Sequence, residues 1–270
     1  MSWFLKVVIN IIEQIQVKKV MKVKNLAVFD FDHTVINDNS DTVVLNLIDK
    51  CKITDDLRNL YRSDGWTAYM QGIFEVLHEN RVAQIHIDNI IKEIPEVDGM
   101  STLINELHHN MNYDVIIISD SNTHFIQTWL EANNLHTTVL RVFSNPAKYN
   151  DKGQLRIKMY HFQEQCTLST KNLCKGMILE DFMRSQHANK VKYDRVVYVG
   201  DGHNDLCPIL RLTDKGVACV RNKYKCSVLL NKLLSGENIE GFDKNKHCLK
   251  APVCIWDNGH EILDFIKKLN

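Results

Sequence analysis

Short apolar runs closed by polar turns recur along the chain, and between them apolar residues fall at helical spacing. Leu26, Ala27, Val28 and Phe29 make the first run and predict a buried strand. From Asp41 to about Ile94 the period changes. Val43, Val44, Leu47 and Ile48 are followed by Leu57, Leu60 and Tyr61, by Trp66, Tyr69 and Met70, by Ile73, Phe74 and Leu77, and by Ile87, Ile90, Ile91 and Ile94. This spacing predicts three or four short helices and no strand. Pro95–Gly99 reads as a connector and Met100–His109 as an amphipathic helix. A second strand is predicted over Asp114–Ser119, with a helix from Thr123 to Ala132. Leu140–Ser144 is a third. The turn Asn150–Gly153 and the alternation from Gln154 to Met159 predict a small β-excursion, and a helix then runs to about Gln186. Arg195–Val199 is the fourth core strand. Val217–Val220 and Cys254–Trp256 follow, and a helix over Glu261–Leu269 closes the chain. Strands alternating with helices predict an α/β fold with a doubly wound, mostly parallel sheet.

Composition narrows the class. Hydrophobic residues at 44% and charged residues at 24% suit an ordinary globular chain, and a net charge of zero gives no global field for nucleic acid or an anionic membrane. Eight cysteines with no C-x-x-C pair, several in apolar runs, read as buried thiols of a reducing, cytoplasmic compartment. A zinc site lacks its usual spacing. Residues 1–20 carry an apolar stretch, Phe4 to Ile12, too short to span a bilayer and without the basic start or cleavage site of a signal peptide. They read as a frayed helix, a weak interfacial anchor or an upstream start, with the functional domain beginning at Met21.

Candidate chemistry gathers at the strand ends. The first strand runs into Asp30 and Asp32, with Thr34 beyond, and alternation along a strand puts both acids on one side. Two carboxylates held together need a cation between them or a proton on one of them. Such a pair suits phosphoryl transfer, with Asp30 attacking phosphorus, Asp32 moving the proton and magnesium offsetting the charge; a solvated acidic turn is the plain alternative. The second strand ends in Ser119, Asp120, Ser121 and Asn122 before a helix, where a hydroxyl and backbone N–H groups can hold a phosphate, or Ser119 or Asp120 can cap the helix. After the fourth strand comes Gly200-Asp201-Gly202-His203-Asn204-Asp205, which adds two carboxylates to the same sheet edge.

The order D-F-D-x-T, a strand ending in Ser, a lysine and G-D-G-x-N-D resembles the haloacid-dehalogenase-like (HAD) phosphatases. Asp30–Asp41, Ile118–Asn122, Asn172–Lys175 and Gly200–Pro208 resemble their vertebrate orphan-phosphatase subfamily, from about Val23 onward. The resemblance implies a HAD-like core over 21–41 and 99–270 and a small helical cap over 42–98. It implies Asp30 as nucleophile and Asp32 as proton donor. Asp30, Asp32 (through its backbone carbonyl) and Asp201 would hold magnesium, with Asp205 supporting the metal. Ser119 would contact the phosphoryl oxygens, and Asp41 and Asp120 would bind the substrate beyond its phosphate. Lys171 and Lys175 both lie where a phosphate-side lysine is wanted, and the NLCK match favours Lys175. The subfamily acts on phosphoethanolamine, phosphocholine or pyridoxal phosphate, and the run through Asp41-Thr42 leans towards pyridoxal phosphate. Ser169-Thr170 stands where relatives carry a cysteine and a proline, which argues against a redox or metal role for a cysteine cluster. His33 and His203 read as solvent-facing or supporting residues.

Acids near the leaving group favour a cationic substrate, although Asp41 also fits as a helix cap within Asn39-Ser40-Asp41-Thr42. Trp66, Tyr69 and Phe74 read as packing for the helical segment rather than a ligand cage. The expectation is a magnesium-dependent phosphomonoesterase acting on a small molecule, with no nucleic-acid or membrane partner. A phosphotransferase and a non-catalytic binding module are the readings from other classes.

Overall fold

The computed structural model describes residues 21–60, 65–243 and 247–269. The expected extension over residues 1–20, and Tyr61, lie outside them. Strand β1 (Lys22–Phe29) sits in the middle of a six-stranded sheet. The others are β2 (Tyr113–Asn122), β3 (Val139–Asn145), β6 (Val191–Gly200), β7 (Val217–Arg221) and β8 (Val253–Trp256), in the order β3-β2-β1-β6-β7-β8 with every pairing parallel. Parallel strands with both faces covered read as unbroken apolar runs, which is why LAVF and VIII carry no polar interruption. Alternate residues serve opposite faces. Ala27 and Phe29 join one apolar cluster with Val115 and Ile117; Leu26 and Val28 join the other with Ile116 and Ile118. All six strands point the same way, so the polar residues after them collect along one edge.

Between β1 and β2 come helices α1 (Ser40–Val43), α2 (Asp55–Asn59), α3 (Trp66–Glu79), α4 (Gln84–Lys92) and α5 (Met100–His109), with short 3-10 turns after α1. Helix α6 (Thr123–Ala132) follows β2, and a hairpin of β4 (Ala147–Tyr149) and β5 (Leu155–Ile157) follows β3. The remaining helices are α7 (Lys175–Ala188), α8 (Leu206–Ile209), α9 (Lys225–Leu234) and α10 (Gly259–Lys268).

Two features depart from the sequence reading. Strand β2 runs on to Asn122 instead of ending at Ser119, because Asn122 still pairs with Asn145 of β3. Helix α9 was not predicted, although Cys226, Leu229, Leu230 and Leu233 fall at the i, i+3, i+4, i+7 spacing and pack on the second apolar cluster. The helical segment after β1 has no core of its own. Tyr69, Met70, Ile73, Phe74 and Leu77 of α3 share one apolar cluster with the sheet, and the Phe74 ring meets Phe125 of α6 edge-on at 5.7 Å. No helix among the described residues is long and apolar enough to cross a membrane.

Candidate active site

The β1 ladder ends with the Asp30 N–H donating to the Val199 carbonyl at 2.9 Å. The chain then turns. The Phe31 carbonyl accepts from the N–H groups of Thr34, Val35 and Ile36, and His33 takes a left-handed φ of 53°. Asp32 is therefore carried by a tight turn, so the strand alternation expected to align the two acids stops at Phe29. The Asp30 carboxylate is fixed by the Phe31 N–H at 2.7 Å, and the Asp32 carboxylate by the Ser40 N–H at 2.8 Å. Burial pushes both carboxyls well above the usual range. Lys175 counteracts that rise at Asp30, whereas the neighbouring Asp41 adds to it at Asp32.

Asp201 and Asp205 enter from the β6 end. Gly200 permits this approach, since a Cβ there would lie 2.4 Å from the Asp205 carboxyl carbon. Oxygens of Asp30, Asp201 and Asp205 all lie within 4.8 Å of one another. Burial, with Asp205 close by, pushes Asp201 up to about 7, and the Thr34 hydroxyl donates to it at 3.1 Å. Lys175, the first residue of α7, is wholly buried, with its Nζ 2.5 Å from Asp30 and 2.7 Å from Asp205. Burial disfavours the ammonium, but Asp205 and Asp30 outweigh it and raise its pKa. Lys171, the other candidate, is at the surface, paired with Glu164 at 3.6 Å.

Three buried acids against one ammonium leave an excess of acidic groups in a buried space. The donor set is all oxygen, with no histidine or thiol in the group. These residues fit a hard divalent cation such as magnesium. Asp205 is the most committed of the three. One oxygen accepts from Lys175 and from the Tyr198 hydroxyl at 2.7 Å, and the other from the N–H groups of Asp201 and Gly202 at 3.0 and 2.8 Å.

Asp120 is near enough to Asp30 to raise its carboxyl, and Asp41 is near enough to Asp32 to do the same there. Ser119 is fully buried at the β2 end. Neither it nor Asp120 caps α6; the Asn122 side chain does, accepting from the Phe125 N–H at 3.0 Å. Asp41 likewise leaves the capping of α1 to Asn39. It is buried and receives the Trp66 indole N–H at 2.9 Å and the Asn122 amide at 3.4 Å. Burial pushes its carboxyl up to about 7. Asp120 accepts from Asn204 at 3.0 Å and is the acid that both Asp30 and Asp32 sense. Trp66 thus reaches the site, while Tyr69 and Phe74 are buried in the core. Trp66 was read as packing, and Tyr198, Asn122 and Asn204 were not named as site residues. Asn204 carried a signal within the G-D-G-x-N-D motif and Asn122 as an amide at a helix start, whereas Tyr198 carried none.

A model of the family described as "Putative Phosphatase" matches residues 25–269. The chain belongs to this family. Its relatives in this phosphatase family include "Probable phosphatase phospho2" of Xenopus tropicalis, 38% identical, with 91% of this chain and 98% of that protein covered. "Pyridoxal phosphate phosphatase PHOSPHO2" of Homo sapiens is 36% identical at the same coverage. The human "Phosphoethanolamine/phosphocholine phosphatase" is 32% identical, covering 88% of this chain and 86% of its own. A phosphoserine phosphatase solved as a phospho-aspartyl intermediate analogue shares the fold, with a TM-score of 0.52, 19% identity, and 90% of this chain and 99% of that chain covered. The chain is a phosphatase, a phosphomonoester hydrolase, on an α/β fold that it shares with phosphoserine phosphatase.

Proposed function

We propose that this phosphatase hydrolyses a small, cationic phosphomonoester through a phosphorylated Asp30, and that pyridoxal 5'-phosphate is its substrate. The observation that carries the mechanism is the buried Asp30 carboxylate, set against the Lys175 ammonium at 2.5 Å at the carboxyl edge of the sheet. An Asp30 oxygen attacks phosphorus and the ester P–O bond breaks. Asp32, whose carboxyl burial and Asp41 push up, gives its proton to the leaving oxygen. Asp32 then takes a proton from water, the water oxygen joins phosphorus, and the bond to Asp30 breaks to release phosphate. Ser119 and Lys175 bind the phosphoryl oxygens throughout. Asp30, Asp201 and the Asp32 carbonyl would hold magnesium, with Asp205 supporting it through water and through Lys175. The ion would supply charge neutralisation at the phosphoryl group.

For the rest of the substrate, Asp41, Asp120 and the Trp66 ring offer acid and aromatic surface together, which suits a pyridinium ring or an ammonium. The human pyridoxal phosphate phosphatase supports the first and the phosphoethanolamine/phosphocholine phosphatase the alternative. Residues 42–98 would act as the cap over this pocket, Trp66 being its contact with Asp41. The free thiols fit a cytoplasmic enzyme.

The test is phosphate release from pyridoxal phosphate, phosphoethanolamine, phosphocholine and a sugar phosphate, each with magnesium and with chelator. Magnesium-dependent preference for pyridoxal phosphate is expected. Equal rates on all four would reduce Asp41 and Asp120 to structural acids. Transfer of the phosphoryl group to an added alcohol in place of water would make the enzyme a phosphotransferase. Asp30→Asn should abolish turnover in a folded protein, and a near-normal rate would remove Asp30 as nucleophile.

A further inference from the structure

Three thiols that the phosphatase chemistry does not use converge beside the active site. Cys207 Sγ lies 3.4 Å from Cys166 Sγ and 3.7 Å from Cys174 Sγ, and the three sulfurs are all within 4.8 Å of one another. The Ser169 hydroxyl oxygen sits 3.4 Å from Cys166 Sγ and 3.3 Å from Cys174 Sγ. Tetrahedral zinc with Zn–S bonds of about 2.3 Å spaces its sulfurs ~3.8 Å apart and an oxygen ligand ~3.6 Å from each sulfur. The distances from the Cys207 sulfur to the other two, and from the Ser169 oxygen to Cys166 and Cys174, already stand near those separations. We propose that Cys166, Cys174 and Cys207, with the Ser169 hydroxyl at the fourth corner, form a structural site for a thiophilic divalent cation, zinc.

The surroundings suit thiolates. The Leu168 backbone N–H is directed at Cys166, and the Arg211 guanidinium hydrogen-bonds Cys207 and faces Cys174. Three thiolates around a dication carry one excess negative charge, which Arg211 offsets. Binding deprotonates the three thiols and releases their protons, and no electron moves. Cys174 and Cys207 are buried, whereas Cys166 is half-exposed on a cavity of about 710 Å³ that Ser169 and His203 also line, so an ion has a way in. The spacing hid this set: Cys166-x-x-Ser169 has the shape of a two-ligand knuckle with oxygen in place of one sulfur, and Cys207 comes from beyond β6.

The site has a clear use. Cys174 directly precedes Lys175, and Cys207 lies two residues after Asp205. An ion shared by these cysteines clamps together the two segments whose side chains form the 2.7 Å Lys175–Asp205 pair. Its role is to position Lys175, and it holds whichever phosphomonoester the enzyme prefers.

Cobalt(II) reports the site by spectroscopy. The full chain, reduced and metal-free, is titrated with cobalt in excess magnesium, so that the carboxylate group contributes no cobalt signal. One cobalt per chain should bind with a thiolate-to-cobalt charge-transfer band and the intense visible bands of tetrahedral geometry, and zinc should displace it. Zinc should also raise the melting temperature. Cys166→Ala, shown to be folded by circular dichroism, should lose the band and the zinc-induced shift. Ser169→Cys should keep the stoichiometry and strengthen the band by adding a fourth thiolate. A wild-type chain without the band, or a band unchanged by Cys166→Ala, would overturn the site. So would a Cys166–Cys207 disulfide in the purified protein with no zinc bound after reduction. An unchanged spectrum in Ser169→Cys would remove Ser169 from the fourth corner.

Discussion

At the scale of single residues, the site is a set of buried charges that balance only in part. Lys175 is the one cation between Asp30 and Asp205, at 2.5 and 2.7 Å. Replacing it with methionine strands both carboxylates, a change that typically costs about 3–5 kcal/mol. Urea unfolding of Lys175→Met in chelator should show a loss of that order, and magnesium should recover part of it. Asp41 gives a pH prediction. Burial pushes its carboxyl up to about 7, above the ordinary aspartate range, so between the two the folded state keeps a proton that the unfolded chain has lost. The ionised carboxylate therefore weakens the fold progressively as pH rises from about 4 to about 7, by at most about 1.4 kcal/mol per pH unit. Asp41→Asn removes that penalty. Its melting temperature should exceed the wild-type value at pH 8 and converge on it near pH 4; a gain independent of pH would contradict the assignment. The candidate residues at strand ends were legible because motif spacing marks them. The partners of these acids were not, since Trp66 reaches Asp41 from a separate helix and Tyr198, which donates to Asp205, lies inside an apolar strand where alternation alone cannot single it out.

Among secondary-structure elements, the caps show where local reading and tertiary need diverge. Asn39 and Asn122 take the capping of α1 and α6, so Asp41, Ser119 and Asp120 are not used as caps. Asn122 serves twice, capping α6 and donating to Asp41. Asn122→Ala should lower stability by about 1 kcal/mol for the lost cap and also change the substrate KM through Asp41. Chemical denaturation together with steady-state kinetics would separate the two effects. A stability loss with unchanged KM would reduce Asn122 to its cap. Helix ends such as Met100–His109 and Thr123–Ala132 were readable to the residue because an apolar stripe stops against polar residues at each. Helix α9 was legible too, its stripe of Cys226, Leu229, Leu230 and Leu233 lying between Asn222-Lys223 and Ser235-Gly236, but the sequence reading passed over it.

For the whole molecule, the helical segment and the sheet form one apolar cluster, so they should melt together. Phe74→Ala removes a ring that is 1% exposed and should destabilise the entire fold by about 3–5 kcal/mol. Helical circular dichroism and activity should be lost in a single shared transition; an earlier, separate loss of helix would mean that the segment folds as an independent cap. The α/β class was legible from strand–helix alternation, whereas the convergence of Cys166, Cys174 and Cys207 was not, because it depends on how α7 and α8 pack. The sheet order also bears on how the protein is made. The strand synthesised first lies at the centre, flanked by β2, which begins at Tyr113, and β6, which begins at Val191. At ~5–20 residues per second, a ribosome needs about 10–30 s to travel from the end of β1 to the start of β6. Throughout that interval the emerging chain carries an apolar strand with at least one open edge, and with two until β2 is made, a target for nascent-chain chaperones. The Lys175–Asp205 pair forms later still, so no shorter nascent fragment can hold a competent active site.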